Sequence, residues 1–110
     1  MQKKALPAVV RRELAQALAA SSGRSATTVY GGHEHRLRQT VIALRAGESL
    51  SEHPNPGEAT VQVLHGRVLL RSGDVSWNGS AGDLLIVPDG THALDAVEDS
   101  VVLLTVAKLA

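Results

Sequence analysis

The chain has 110 residues, no Cys, and eleven Lys/Arg balanced by eleven Asp/Glu. That length suits one domain, and the missing Cys excludes disulfides, thiolate metal ligands and Cys nucleophiles. Zero net charge with no run of one sign leaves no electrostatic footprint for nucleic acid and no basic face for a membrane. The apolar stretch from Val101 to Ala107 is far short of the roughly 20 residues that span a bilayer. Met1-Gln2-Lys3-Lys4 has the charge of a signal-peptide n-region, but Arg11, Arg12 and Glu13 interrupt any h-region, so the chain reads as cytoplasmic. Tyr30 and Trp77 are its only aromatic residues. The core must therefore be aliphatic, and stacking platforms for single-stranded nucleic acid are nearly absent.

Residues 6 to 20 read as a helix. Pro7 suits a first turn, and Leu6, Val10, Leu14 and Leu18 recur every four residues as an apolar stripe. Ser21-Ser22-Gly23 ends it, with Gly23 as C-cap. Residues 1–24 thus form an N-terminal helix and linker, and residues 25–110 a β-domain. Beyond Gly23, glycines punctuate short runs rich in Val and Thr. These are Leu37 to Leu44, Ala59 to Leu64, Arg67 to Leu70, Val75 to Asn78, Asp83 to Val87, His92 to Ala96 and Ser100 to Ala107. Short strands at such spacing predict an all-β sandwich or barrel. Arg71-Ser72-Gly73-Asp74, Asn78-Gly79 and Asp89-Gly90 carry turn chemistry. Trp77 is expected to serve packing, and His65 to sit in a turn. A helix followed by strands is not an alternating α/β pattern. No phosphate-binding loop, dinucleotide fingerprint or nucleophile elbow is present.

Two segments carry a family likeness. One runs from Gly47 through His53, Asn55, Glu58 and Ala59 to Gly66. The other runs from Gly82 through Pro88 and Gly90 to His92. Together they resemble the two motifs of the small, single-domain cupins, in which the first holds a His-x-His pair and a Glu between glycines and the second a Pro-x-Gly turn before a His. The likeness covers about residues 36 to 107. It implies a jelly-roll β-barrel around one divalent metal (Zn, Ni, Mn or Fe), held by three His and a carboxylate.

Against that pattern, Asn55 replaces the second His and Ala59 the Glu. Glu58 and Gln62 have the wrong strand parity, although a bulge would reorient Glu58. What the resemblance leaves is His53, Asn55 and His92 as pocket residues, with His53 and His92 the metal ligands if a metal binds. Neutral ligands alone leave a dication's charge uncompensated. Each residue also has a plainer reading. His53 and His92 can bond backbone at a pocket mouth, Asn55 sits in a Pro-Asn-Pro-Gly turn, and Glu58 can be a solvated loop carboxylate. His33-Glu34-His35 is a second His-x-His, and His35 with Gln39 could reach and complete the pocket. Ala43, Val61, Val63 and Val87 would form its aliphatic wall.

Three functions fit. The first is a small-molecule-binding cupin with a weak or absent metal site. The second is a metal-dependent enzyme of dioxygenase, isomerase or decarboxylase type. The third is a structural or regulatory dimer module with a vestigial pocket. Strand edges need covering, and the helix and the Val101 to Val106 strand are the expected covers in a homodimer.

Overall fold

A computed structural model describes residues 1–54 and 57–109, without the side chains of residues 52 and 53. One helix, α1 (Leu6–Ala19), precedes nine strands. They are β1 (Arg24–Tyr30), β2 (Leu37–Leu44), β3 (Ser49–Pro54), β4 (Gly57–His65), β5 (Arg67–Ser72), β6 (Val75–Ser80), β7 (Leu84–Ile86), β8 (Thr91–Ala96) and β9 (Ser100–Lys108). The strands form a five-stranded sheet, β1-β2-β9-β4-β7, and a four-stranded sheet, β3-β8-β5-β6. The fold is thus a two-sheet jelly roll, with no hydrogen bonding among the described residues that closes it into one barrel.

Strand parity sorts the aliphatic residues into two layers. Ile42, Leu44, Val61, Val63, Val102 and their neighbours face inward, against Val68, Leu70 and Leu94 of the other sheet. Val41, Ala43, Val101 and Leu103 face outward, where α1 covers them with Leu6, Val10, Leu14 and Ala17. Val61 lines the cavity beside His92, whereas Val63 and Val87 belong to the inner core without lining that cavity, and Ala43 lies beneath the helix. The helical stripe shifts in the same way. Four residues turn an α-helix by about 400°, so a strict fourfold spacing drifts around the axis. Leu18 ends up exposed and Ala17 takes the buried place.

A carboxylate pins the helix. Glu13 is buried against β1, where it accepts hydrogen bonds from Ser25 Oγ at 2.6 Å and Arg12 Nε at 3.1 Å. A buried charge is tolerated only when it is bonded in this way.

The sequence and the structure differ at several further points. The segments Arg24–Tyr30 and Ser49–Pro54 are strands that the Val/Thr signal did not delimit. The Val101 to Val106 run is not an edge cover, because β9 lies in the middle of its sheet between β2 and β4. Asn78-Gly79 is not a turn. Gly79 lies within β6, paired with Val68, and a Cβ there would come within 2.9 Å of Leu85 Cδ1 and 3.1 Å of Val63 Cγ2. The glycine lets the two sheets approach. Between β4 and β5 the chain reverses at Gly66, whose φ of 81° and contact with the Asp99 carbonyl leave no room for a side chain. Gly73-Asp74 does join β5 to β6 as a two-residue turn. Trp77 is 41% exposed, since β6 and β7 are edges and the sandwich is open between them.

On the outer face of the smaller sheet, Asp95 of β8 ties three strands. Arg71 of β5 donates to it from Nε at 2.6 Å and Nη2 at 3.0 Å, and Ser49 Oγ of β3 donates at 2.7 Å. The Arg71 hydrogen bond holds the Asp95 carboxyl below the usual carboxylate range, with Ser49 and the Arg71 charge adding to it against the opposing effect of burial.

Two outcomes follow. Glu13→Ala removes the shorter of the two hydrogen bonds of Ser25 Oγ, leaving the one to Gln16 Oε1 at 3.0 Å, and is expected to cost about 0.5–1.5 kcal/mol in urea denaturation, with faster amide exchange in α1 than in β9. Asp95 is more acidic folded than unfolded. Its contribution is therefore present above the unfolded carboxyl pKa and is lost as pH falls through the folded one. Below about pH 4 the melting temperature of the wild type should drop more steeply than that of Asp95→Asn.

Candidate functional site

The site lies at the end of the sandwich where β3 passes to β4. His92 enters it from β8 just after the Pro88-Asp89-Gly90 turn. It is 5% exposed. Ile42, Leu50, Leu70, Leu94 and Leu104 surround it around a space of about 20 Å³, room for the centre of about one water molecule. A histidine buried in an aliphatic wall is a polar group at the floor of an otherwise apolar cavity.

The backbone brings His53 to the same place by a bulge. Leu50 pairs with Leu94 and His53 with His92, so β3 uses three steps where β8 uses two. An extra residue resets strand parity. Leu50 and His53, which differ in parity along the sequence, therefore both stand opposite inward-facing residues of β8. Positions directly opposite share a face of the sheet. The side chain of His53, and Asn55 altogether, lie outside the described residues.

The first-motif carboxylate position behaves differently. From Gly57 to Val63, β4 runs in unbroken register with β9, and the irregularity comes later, between Val63 and His65. No bulge rotates Glu58 inward. It is exposed, while Ala59 is buried beside Val61 and Val63 on the inner face. Gln62 is exposed as well. Among the described residues, no three His, Asp or Glu side chains converge on one point. The described donors do not fit a tightly held divalent ion, because the inward position that would supply a carboxylate carries a methyl group.

His35 and Gln39 do not complete this pocket. Gln39 shares the parity of Val41 and Ala43, so it lies on the helix side of the large sheet. Its Nε2 donates to Thr105 Oγ1 at 3.2 Å, in a cleft lined by Lys4, Leu6, Val29 and Leu103. His35 is exposed in the loop before β2, with its Nδ1 3.3 Å from Glu34 Oε1 and its ring edge-on to Tyr30 at 5.4 Å. His33 is exposed in the same loop, and its carbonyl accepts from Lys108 Nζ at 3.4 Å. His65 ends β4, exposed, just before Gly66.

One residue of this end was not singled out from the sequence. Arg38 has the inward parity of Thr40, Ile42 and Leu44, and it pairs with Val106, which in turn pairs with Ala59. It is half-buried, and no described carboxylate pairs with it. The signal that could have found it is this parity, but Val41-Ile42-Ala43-Leu44 is apolar on both faces and hides it.

Comparison with solved structures identifies the architecture. A conserved protein of unknown function from Streptococcus pyogenes superposes with a TM-score of 0.74 at 27% identity, over 83% of this chain and 79% of that one. An RmlC-like cupin from Desulfovibrio desulfuricans gives 0.67 at 26% identity, over 76% of this chain and 81% of that one. A salicylate 1,2-dioxygenase from Pseudaminobacter salicylatoxidans gives 0.74 at 19% identity, over 91% of this chain but 33% of that enzyme. No family model matches the sequence, and no curated protein matches it.

Proposed function

We propose that this chain, a small cupin domain, binds a small organic molecule at the open end of its sandwich and holds no divalent metal tightly. The observation that supports the reading is the composition of the inner face there. It offers a buried imidazole, His92, over an aliphatic floor, with Ala59 inward and Glu58 outward. The backbone of His53 pairs with that of His92, and the sequence likeness offers His53 and Asn55 as further pocket residues. Two imidazoles and an amide can orient a polar ligand by hydrogen bonds. They do not neutralise a dication in a partly desolvated cavity. An apolar pocket with a few convergent polar groups is a common form of small-ligand site.

The experiment is ligand-observed NMR of the purified protein against a panel of small polar metabolites, run with a chelator present. Hits are expected that displace one another and that vanish in His92→Phe, whose ring fills the cavity. In parallel, protein loaded with Zn, Ni, Mn or Fe and then desalted should retain clearly substoichiometric metal. Ala59→Glu, which puts a carboxylate on the inner face, should retain more, and its melting temperature should rise with added metal. Stoichiometric metal in the wild type would overturn the metal-poor reading, and a panel without a hit would overturn the binding reading.

The chain is further proposed to act as a homodimer. Trp77, Leu84 and Ile86 are exposed along the two edge strands, and apolar surface gathered in one place favours association. Light scattering should give a mass of about twice the 11.5 kDa chain, and a value equal to one chain sinks the proposal.

A further inference from the structure

Arg38 stands at the open end of the sandwich, on the inner face of the large sheet. Strand β2 begins there, β9 ends there and β4 starts there, so the register row Arg38–Val106–Ala59 crosses the large sheet at this level. Arg38 stands on the inner face, two residues before Thr40, whose partner Leu104 lines the cavity under His92. It is half-buried and pairs with no described carboxylate. A half-buried Arg with no carboxylate partner leaves its guanidinium donors available to an anionic ligand. Lys108 and Arg36 lie at the same end. The Lys108 ammonium is occupied by the carbonyls of Gly32 and His33. The described acids nearby face elsewhere: Glu58 outward, Asp89 exposed in its turn, and Glu34 against His35.

We infer that Arg38 makes this end of the sandwich a receptor for small organic carboxylates, its guanidinium taking the carboxylate while the ligand's short apolar end faces the floor of Ile42, Leu50 and Leu104. The inference rests on the binding reading above and names the ligand class for it. An Arg fork matches a carboxylate with two parallel hydrogen bonds, and the aliphatic floor rejects a second charge.

The probes are sodium butyrate and its neutral isostere butyramide, titrated by NMR into the full chain with a chelator present. Butyrate is expected to bind at least tenfold more tightly than butyramide, with shifts in β2, β8 and β9. Arg38→Gln should erase that preference by weakening butyrate alone, and Arg38→Lys, which keeps the charge but not the fork, should fall between. Chemical shifts away from the site report that each variant is folded. If butyramide binds as well as butyrate, or Arg38→Gln binds butyrate unchanged, Arg38 is not the recognition residue although the pocket still binds. If neither probe binds while other members of the metabolite panel do, the carboxylate class is wrong. If nothing binds at all, the pocket reading fails and this inference with it.

Discussion

The double burial of β9 is the constraint on which the rest of the structure depends. One face of this strand packs into the sandwich through Val102 and Val106, and the other packs under α1 through Val101 and Leu103. A strand covered on both sides cannot alternate apolar and polar residues, so it reads as a continuous aliphatic run. With hardly any aromatic mass in the chain, interlocking of small branched side chains has to supply the core. The helix is therefore part of the domain's packing, and the buried Glu13–Ser25 contact fixes where it sits.

The same parity that builds the core decides the chemistry of the open end. Inward positions there hold Ala59, Val87, His92 and Arg38, and outward positions hold Glu58 and Gln62. His92 is buried there against aliphatic side chains. The sign of the charge follows from which residue of each adjacent pair faces in. Glu58 and Ala59 exchanged would make a different site on the same backbone.

The β-bulge between Leu50 and His53 is the second local feature with a large consequence. Without the extra residue, His53 would stand on the face opposite Leu50. With it, His53 is level with His92 on the neighbouring strand. A one-residue slip changes the face of every later position in a strand. Spacing alone therefore cannot decide whether a motif histidine faces a cavity.

Much of the scaffold was legible in the sequence. Glycines bounding short Val-rich runs predicted the β-domain, and β2 begins and ends where its apolar run does. The paired Gly, Pro and His signals picked out two segments whose strands, β3 and β8, lie side by side, because turns and strand ends have local chemical requirements. The facing of residues within β2 was not legible. Val41 to Leu44 is apolar throughout, so nothing in the pattern told Ala43 from Ile42 or marked Arg38 as inward and Gln39 as outward. Nor did the Asn78-Gly79 pair reveal that its glycine serves sheet contact rather than a turn. The sequence by itself determined the element types and the positions of most turns, which depend on residue identity and near neighbours. The tertiary structure alone decided which side of each strand is the interior. That choice depends on what lies across the sandwich and beneath the helix, far away along the chain.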